Sequence, residues 1–372
     1  MRFFHLADLH IGKNVNGFSM IEEQRYILNK IIEKVEERSP EVVLIAGDVY
    51  DKKNPSNEAV RLFDEFISKL TSFDLDILIV SGNHDAGDKL QFLSKILKEK
   101  RIYIVGSFEE EIFKVKIKDV NFYLLPFVRP SDVRYYYQEA DTYHLAVKQA
   151  IENSDIDYDD LNVFVAHQFF AGQQLDLERS DSEQISVGGI DNVGYNLLEK
   201  FDYAALGHLH KAQQLGFEHI RYSGSPLKYS DSEVNHHKSF VEVNIGNKDD
   251  VEIKLYPLKA KTPMRKIKDY IENILKEDYD KDCLNDFVHI VLLNENEVID
   301  AIGKLRNKYK NLMSLRFEKS KTYKSEAIEG VANIEDKNPI DLFSDFFFLQ
   351  NEKQMNKRQL EIVKKLMSEE VK

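Results

Sequence analysis

The chain of 372 residues has little cysteine and no tryptophan, and it contains a single cysteine, Cys283. One cysteine cannot form a disulfide within the chain, so a disulfide-stapled scaffold and a cysteine-based zinc site are both excluded. The sequence also has no apolar run of the ~18 to 20 residues that a membrane span needs. Its first residues are too polar for the apolar region of a signal peptide. We therefore expect a soluble, cytoplasmic protein that does not associate with a membrane.

Positive charge is also scarce, since 51 Lys and Arg residues stand against 64 Asp and Glu, which gives a net charge of −13. This balance excludes a protein that coats nucleic acid through bulk positive charge. Hydrophobic residues make up 42% of the chain and charged residues 31%, a composition unlike that of a disordered chain. The length allows two or three domains.

Short, continuous apolar runs alternate with helical patterns over the first hundred residues. The strands are predicted at 3–7, 42–46 and 77–81, and the helices at 21–35, 58–70 and 90–97. Continuous apolar strands are typical of sheets that are buried on both faces. The pattern therefore predicts an α/β fold with right-handed crossovers.

From residue 101 onwards the sequence predicts more strands, followed by a linker at 257–263. A second α/β unit is predicted beyond it, with helices at 266–276 and 297–308 and strands at 287–293 and 312–317. A polar stretch at 319–337 precedes two amphipathic helices at 340–349 and 357–367. These last helices carry more apolar surface than two short helices can bury by themselves, which favours docking to a partner. Folding back onto the second unit is the alternative.

Polar groups follow the predicted strands at their carboxyl ends, where ligand sites form in open α/β sheets. The residues concerned are Asp8, His10, Asp48, Asn83, His84, Asp85, His167, His208 and His210. Carboxylates, imidazoles and a carboxamide without thiolates suit Mn²⁺, Fe²⁺ or Zn²⁺. A carboxylate such as Asp48 can bridge two ions ~3.5 to 4 Å apart. Glycine before Asp48, Asn83 and His208 is expected to let the backbone turn sharply. The chain has no P-loop and no nucleophile elbow.

The ordered motifs Asp-x-His, Gly-Asp, Gly-Asn-His-Asp, a single His and Gly-His-x-His resemble those of calcineurin-like metallophosphoesterases. Three further segments are similar to the SbcD family of double-strand-break repair nucleases: His-Leu-Ala-Asp-Leu-His-Ile-Gly (5–12), Pro-Phe-Val-Arg-Pro (126–130) and Tyr-Ser-Gly-Ser-Pro-Leu (222–227). The resemblance by motif therefore runs from residue 5 to about 227. Beyond it, the likeness is one of architecture.

The resemblance implies two metal ions, with Mn²⁺ expected, and attack on the phosphodiester by a metal-bound hydroxide. The first ion would be held by Asp8, His10, Asp48 and His210, and the second by Asp48, Asn83, His167 and His208. His84 would lie near the scissile phosphate without binding metal. Asp85 would orient His84, as carboxylates often orient histidines around metal sites.

The resemblance also implies an organisation and a set of partners. A β-sandwich flanked by helices would form a nuclease domain at 1–258, followed by a DNA-recognition cap at 259–320. A linker at 321–337 would lead to a helical tail at 338–372 that binds the ATPase SbcC. The helix at 58–70 would pair across a homodimer, and its apolar stripe could instead, or in addition, pack on the sheet. The activities would be 3′ to 5′ exonuclease on duplex ends and endonuclease on single strands or hairpins, in DNA repair, recombination and replication.

Several alternatives stay open at this point. The enzyme could act on small phosphodiesters, or the chain could be a catalytically silent scaffold. Tyr135 to Tyr137 could stack on bases or form a partly buried loop, and Asp51 could support the metal site or start a turn. His5 and His289 are expected to be core histidines with satisfied hydrogen bonds, and His236 and His237 to lie in a solvated turn.

Overall fold

The computed structural model describes residues 1–172, 177–183, 191–248, 250–294, 298–318, 339–351 and 353–369. Its strands are β1 Arg2–Leu6, β2 Asn14–Val15, β3 Phe18–Ser19, β4 Val42–Ala46, β5 Asp76–Val80, β6 Ile102–Val105, β7 Phe113–Ile117, β8 Val120–Leu125, β9 Leu161–His167, β10 Phe170–Ala171, β11 Val193–Gly194, β12 Tyr203–Gly207, β13 Gln213–Leu215, β14 Phe217–Tyr222, β15 Ser239–Ile245, β16 Val251–Pro257, β17 Met264–Asp269, β18 Phe287–Leu292 and β19 Leu312–Phe317. Its α-helices are α1 Ile21–Arg38, α2 Asn57–Leu70, α3 Gly87–Leu90, α4 Ser94–Leu97, α5 Pro130–Arg134, α6 Tyr143–Glu152, α7 Ile271–Ile274, α8 Ala301–Lys308, α9 Pro339–Asn351 and α10 Lys357–Glu369.

Two six-stranded sheets form the main part of the fold within residues 1–257. The first has the strand order β16-β15-β1-β4-β5-β6, and the second has the order β13-β14-β12-β9-β8-β7. Strands β1, β4, β5 and β6 run parallel in the first sheet, as do β14, β12, β9 and β8 in the second. The carboxyl ends of these parallel strands are where the predicted site residues lie.

The two sheets pack face to face with helices outside them. Between the sheets lies a cluster of buried side chains that includes Phe3 and Leu44 from the first sheet and Phe122 and Tyr203 from the second. Helices α1 and α2 cover the outer face of the first sheet, and α5 and α6 cover that of the second. The predicted α/β class, a sandwich flanked by helices, is confirmed.

Helix α2 begins after Ser56, whose hydroxyl caps it by accepting the Ala59 N–H, a common helix start. Its apolar stripe, predicted from the sequence, is buried by packing on the chain's own sheet. The next predicted helix, 90–97, is in fact two short helices, α3 and α4. Leu93, between them, has a φ of 65°, which an α-helix cannot contain.

A small parallel sheet, β17-β18-β19, follows the sandwich and packs with α7 and α8 around its own apolar core. The helix predicted at 266–276 is wrong: residues 264–269 form β17, and the helix α7 covers only Ile271–Ile274. Pairing of β17 with the apolar strand β18 along its whole length outweighs the local helix preference of the lysines.

The chain divides into two compact units, Met1–Phe317 and Glu318–Lys372. In the second unit, α9 and α10 contact each other and leave Phe346, Phe348, Ile362 and Leu366 more than half exposed. Among the described residues, no helix is both long and apolar enough to span a bilayer.

Candidate metal centre

The structure brings the predicted polar residues together at one edge of the sandwich. Asp8 and His10 follow β1, Asp48 follows β4, and Asn83 and His84 follow β5. From the second sheet, His167 ends β9, while His208 and His210 follow β12. The register of β9 and β12 pairs His167 with Gly207, and this places His208 next to His167. The site therefore lies where the two sheets meet.

Four of these residues have a backbone conformation that L-residues rarely adopt. Asp8, His10, Asp48 and His208 have φ angles of 52°, 44°, 50° and 105°. Such conformations cost about 1–3 kcal/mol each and persist where surrounding structure imposes them. Here the N–H of Asp8 donates to Gly47 O at 3.1 Å and that of His10 to Asp48 O at 2.9 Å. The strained turns aim the side chains into one cleft.

The glycines of the motifs are needed mainly because neighbouring groups approach them closely. A methyl group at Gly82 would overlap the carboxylate of Asp48, and one at Gly207 would overlap the carbonyl oxygen of Ala46. Of the three motif glycines only Gly47 has a positive φ, 82°. The expectation that all three serve to turn the backbone is therefore right for Gly47 alone.

The first part of the site, which we term the His10–His210 half, contains Asp8, His10, Asp48 and His210. The Nε2 atoms of His10 and His210 lie 3.0 Å apart, and His10 Nε2 lies 3.5 Å from Asp48 Oδ2. Asp8, His10 and His210 each offer one ligand atom within 4.8 Å of the others. All four side chains are buried.

The second part, the His167–His208 half, contains Asp48, Asn83, His167 and His208. His167 Nε2 lies 3.1 Å from Asn83 Oδ1 and 3.4 Å from Asp48 Oδ2. His208 Nδ1 lies 3.3 Å from Asn83 Oδ1. The atom Asp48 Oδ2 thus stands within 3.5 Å of a ring nitrogen in each half, and a carboxylate in such a shared position would be able to bridge two ions.

The arrangement of donors and acceptors fits a divalent cation. His167 Nδ1 lies 2.9 Å from Ala46 O, so it carries the ring hydrogen and leaves Nε2 as an acceptor. That acceptor faces the oxygens of Asn83 and Asp48, an unfavourable contact unless a cation or a proton lies between them. His10 Nδ1 and His208 Nε2 are buried without a hydrogen-bond partner among the described residues. Carboxylate, imidazole and carboxamide ligands suit a borderline-hard metal ion.

The pKa values of these groups also indicate that the site favours a positive charge. Burial opposes protonation of His167, but the Asp48 carboxylate outweighs it and raises the pKa of His167 to about 9. Burial raises the pKa of Asp8 to about 7. Burial also holds the pKa of His10 well below its usual value and lowers that of His208 to about 3. The raised pKa of His167 keeps a proton on this ring at neutral pH, which supplies positive charge beside the Asp48 carboxylate.

His84 lies at the rim of the site and is only partly buried. The backbone N–H of His84 donates to Asp48 Oδ1 at 2.9 Å. Its ring packs edge-on against that of His10, with the ring centroids 4.8 Å apart. His84 Nδ1 lies 2.8 Å from the carbonyl oxygen of Asp51. This contact orients the ring, so Asp51 supports the site through its backbone, and its carboxylate pairs with Lys13 at 2.6 Å.

The prediction that Asp85 orients His84 is wrong. The Asp85 carboxylate is buried and accepts the N–H groups of Val49, Tyr50 and Gly82 at 2.9 to 3.1 Å. These bonds hold the loop after β4 against the loop after β5. Asp85 therefore keeps Asp48 and Asn83 in register rather than acting on the His84 ring.

Residues remote in the sequence also support the site, and the motifs do not reveal them. Gln24 on α1 donates to the carbonyl oxygen of His10 at 2.7 Å, and the hydroxyl of Tyr229 donates to that of Leu9 at 2.5 Å. Glu233 and Lys238 are buried beside His210. Sequence separations of 14 to 220 residues leave no local pattern by which these contacts could be predicted.

The other histidines lie outside the site. His5 is buried between Tyr203 Oη, at 3.0 Å, and Leu206 O, at 3.2 Å, which confirms it as a satisfied core histidine. His289 is half-satisfied, since Nδ1 lies 2.7 Å from Ser314 Oγ while Nε2 is buried without a partner among the described residues.

Two family models match the chain. Residues 1–212 match the calcineurin-like phosphoesterase family, and residues 260–351 match the family described as the type 5 capsule protein repressor C-terminal domain. Among curated proteins, the chain is 33% identical over 321 residues to the SbcD subunit of the SbcCD nuclease of Staphylococcus epidermidis, covering 85% of each chain.

The solved structures that match the chain are more remote. A dimetal phosphatase from Danio rerio is 12% identical, with a TM-score of 0.41 over 68% of this chain and 95% of the other. A phosphopantetheinyl hydrolase from Mycobacterium tuberculosis is 13% identical, with a TM-score of 0.36 over 61% and 89%. The family assignment therefore rests on the sequence matches.

The sandwich, the cluster of potential metal ligands at its edge and the first family match define the chain as a calcineurin-like phosphoesterase, a metal-dependent phosphodiesterase. Within that class, the match along 85% of its length and the two family models show that the chain belongs to the SbcD family of nuclease subunits.

Proposed function

We propose that the chain is the nuclease subunit of a complex with an SbcC-type ATPase and hydrolyses DNA phosphodiesters with two divalent ions, Mn²⁺ foremost. The observation that carries this proposal is the position of Asp48 Oδ2 within 3.5 Å of a ring nitrogen in each half of the site. Two ions on a shared carboxylate form a clamp for the attacking and leaving oxygens of a phosphodiester. The expected activities are 3′ to 5′ exonuclease and endonuclease on single strands or hairpins, in DNA repair, recombination and replication.

The residues divide into ligands and a group that acts on the substrate. Asp8, His10, Asp48 and His210 would hold one ion, and Asp48, Asn83, His167 and His208 the other. The ions would neutralise charge on the phosphoryl group and activate the attacking water. His84, at the rim and oriented by Asp51 O, is positioned to donate a hydrogen bond to the phosphate or to the leaving oxygen. The strained turns and Asp85 keep this geometry formed before substrate arrives.

DNA would reach the site beside the segment 126–135. Phe127 N–H donates to Ser81 O at 2.9 Å, and Gln168 Nε2 donates to Val128 O at 2.7 Å, which ties the segment to the strand ends that carry Asn83 and His167. Tyr135 is 84% exposed and available for stacking on a base, whereas Tyr137 donates its hydroxyl to Glu110 O. Local positive charge and bound metal would offset the net acidity of the chain.

The remaining parts of the proposed organisation are a domain at 1–258, a DNA-recognition cap at 259–320, a linker at 321–337 and an SbcC-binding tail at 338–372. The exposed apolar side chains of α9 and α10 support docking of the tail into a partner's groove. For a homodimer, the stripe of α2 is not available because it is buried. Phe92, Leu93 and Ile96, which are 72%, 49% and 61% exposed, offer a better contact surface.

A cleavage assay on a labelled DNA hairpin with Mn²⁺ tests the proposal. Wild type should cut the hairpin and Asp8→Ala should not, because Asp8 is a proposed ligand. Bis(p-nitrophenyl) phosphate serves as a small phosphodiester. Hydrolysis of this ester without DNA cleavage, in the presence or absence of the ATPase, would favour a small-substrate phosphodiesterase. Equal inactivity of wild type and Asp8→Ala on both substrates would favour a silent scaffold.

A further inference from the structure

A buried ion pair lies directly behind one of the proposed metal ligands. Glu233 and Lys238 are 0% and 6% exposed, and Lys238 Nζ donates to Glu233 Oε2 at 2.5 Å. Both belong to the loop that precedes β15, which the sequence predicts to be a solvated turn at its centre. Burial of two charges is costly, and a pair of this kind is not in itself a source of stability. The contacts of the pair with neighbouring residues therefore indicate its role.

The pair holds His210 at two points. Glu233 Oε1 lies 3.3 Å from His210 Nδ1, and Lys238 Nζ donates to the carbonyl oxygen of His210 at 2.8 Å. Ser182 Oγ lies 2.8 Å from the same Nδ1 and donates to Glu233 Oε1 at 2.5 Å. Lys238 Nζ also donates to Ser225 Oγ at 2.8 Å, so all three of its hydrogens are used.

These contacts determine which ring nitrogen of His210 faces the site. A carboxylate beside Nδ1 requires the hydrogen on that atom, and this leaves the lone pair on Nε2. His210 Nε2 is the atom that lies 3.0 Å from His10 Nε2 in the His10–His210 half. A carboxylate in this position also makes the imidazole a stronger ligand. His167, in the other half, is held by the carbonyl oxygen of Ala46 instead.

We infer that Glu233 and Lys238 are positioning residues for His210: the carboxylate selects the tautomer that directs Nε2 at the cation of the His10–His210 half, and the ammonium group fixes both Glu233 and the His210 backbone. This inference rests on the proposed metal-binding function. It predicts that the pair acts on one half of the site and not on the other.

Mn²⁺ titration by calorimetry of the full chain tests this division. For Glu233→Ala we expect one of the two binding events to weaken by about 10- to 100-fold, the usual effect of losing an outer partner of a ligating histidine. The other event should stay within about 3-fold of wild type, a change worth less than one hydrogen bond. Lys238→Met should weaken the same event, since the carboxylate loses its anchor.

A matched control separates positioning from general destabilisation. Glu242 is a buried carboxylate paired with Arg38 at 2.9 Å on β15, away from the metal site. Glu242→Gln should lower the melting temperature while leaving both Mn²⁺ events unchanged. If Glu233→Ala fails to fold, Glu233→Gln, which keeps the side-chain shape, decides the matter with an intermediate loss at one event.

Two results would overturn the inference: unchanged Mn²⁺ binding in folded Glu233 variants, or equal weakening of both events. In the metal-free protein, nitrogen-15 NMR of the histidine rings gives a second readout. The hydrogen of His210 should reside on Nδ1 in wild type and be distributed over both nitrogens in Glu233→Ala. Failure of wild type to cleave DNA, both with and without the ATPase, while it binds two Mn²⁺ ions as described would refute the proposed nuclease function and leave the positioning role intact.

Discussion

The two halves of the candidate metal centre share Asp48 but are held by different parts of the protein. In the His167–His208 half, His167 is oriented by Ala46 O at the end of a neighbouring strand. In the His10–His210 half, His210 is oriented by Glu233 and Ser182, side chains on loops. One half therefore depends on the packing of the two sheets, whereas the other depends on buried charge brought in from distant loops.

The difference indicates how each half can be disturbed. Backbone carbonyls cannot be removed by substitution, and the strands that carry Ala46 and His167 are almost entirely buried. The loop side chains, in contrast, can be replaced one at a time by substitution. The metal affinity of the His10–His210 half can therefore be changed by single substitutions of the residues that orient His210.

Asp48→Asn should have the largest effect, because it removes the charge that the two halves share. The amide keeps the shape and can still accept the His84 N–H through Oδ1, so the fold should persist. We expect Mn²⁺ affinity to fall in both halves by more than the ~100-fold that an outer partner contributes, and DNA cleavage to become undetectable. Calorimetry and the hairpin assay measure the two effects.

Asp76→Asn is the matched control, since Asp76 is a buried carboxylate paired with Arg101 at the start of β5, away from the site. It should bind Mn²⁺ as wild type does. Retention of two Mn²⁺ ions by Asp48→Asn would show that the halves do not share this carboxylate.

His84→Gln should lower cleavage while leaving both halves intact. The ring contacts no proposed ligand by a hydrogen bond of its own among the described residues, so Mn²⁺ affinity should stay at the wild-type value. Loss of a group that donates to the reacting phosphate should reduce the cleavage rate by about 10²- to 10⁴-fold. The pair of measurements separates chemistry from metal binding, and a variant that lost either Mn²⁺ ion would identify His84 as a ligand.

Much of this centre could be predicted from sequence because its residues follow strand ends. Gly-Asp and Gly-Asn-His-Asp fall directly after buried apolar runs, and parallel strands carry such positions to one edge. Even His167, which belongs to no paired motif, is placed by the end of β9. The same buried apolar runs also predicted the parallel strands of the sandwich.

Prediction from the sequence failed where contacts between residues far apart in the chain determine the secondary structure or the partner of a side chain. Residues 266–269 have helix-compatible side chains, and only pairing with β18 makes them a strand. Asp85 stands next to His84 in the sequence, yet it bonds three backbone N–H groups. Glu233 reaches His210 across 23 residues, and no local pattern marks it as a partner. In each case the nearest neighbour in the chain is not the nearest in space.

The halves should also differ in their response to pH. The raised pKa of His167, about 9, means that a cation displaces a proton there at all pH values below about 9, so affinity should rise with pH up to that point. The pKa of Asp8, about 7, sets an earlier limit, and the His10–His210 half should gain little above about pH 7. Between about pH 7 and pH 9, the Mn²⁺ affinity of the His167–His208 half should rise by at most about tenfold per pH unit.

Calorimetry at about pH 8 in buffers of different ionisation enthalpy counts the protons released. We expect about one proton per two Mn²⁺ ions in wild type and none in His167→Ala, which retains the His10–His210 half. Proton release that persists in His167→Ala would assign the titrating group elsewhere.

Ser182→Ala should have the smallest effect. It tests how much the hydroxyl adds to the orientation of His210 in the His10–His210 half. The hydroxyl lies between His210 Nδ1 and Glu233 Oε1, but the carboxylate alone can still accept the ring hydrogen. Affinity of the His10–His210 half should therefore fall by only about 2- to 10-fold, the net value of one hydrogen bond, with the other half unchanged. Ser223→Ala, which removes a buried hydroxyl that donates to His5 O at 2.9 Å, should change neither. A loss in Ser182→Ala as large as in Glu233→Ala would mean that the hydroxyl, rather than the carboxylate, orients the ring.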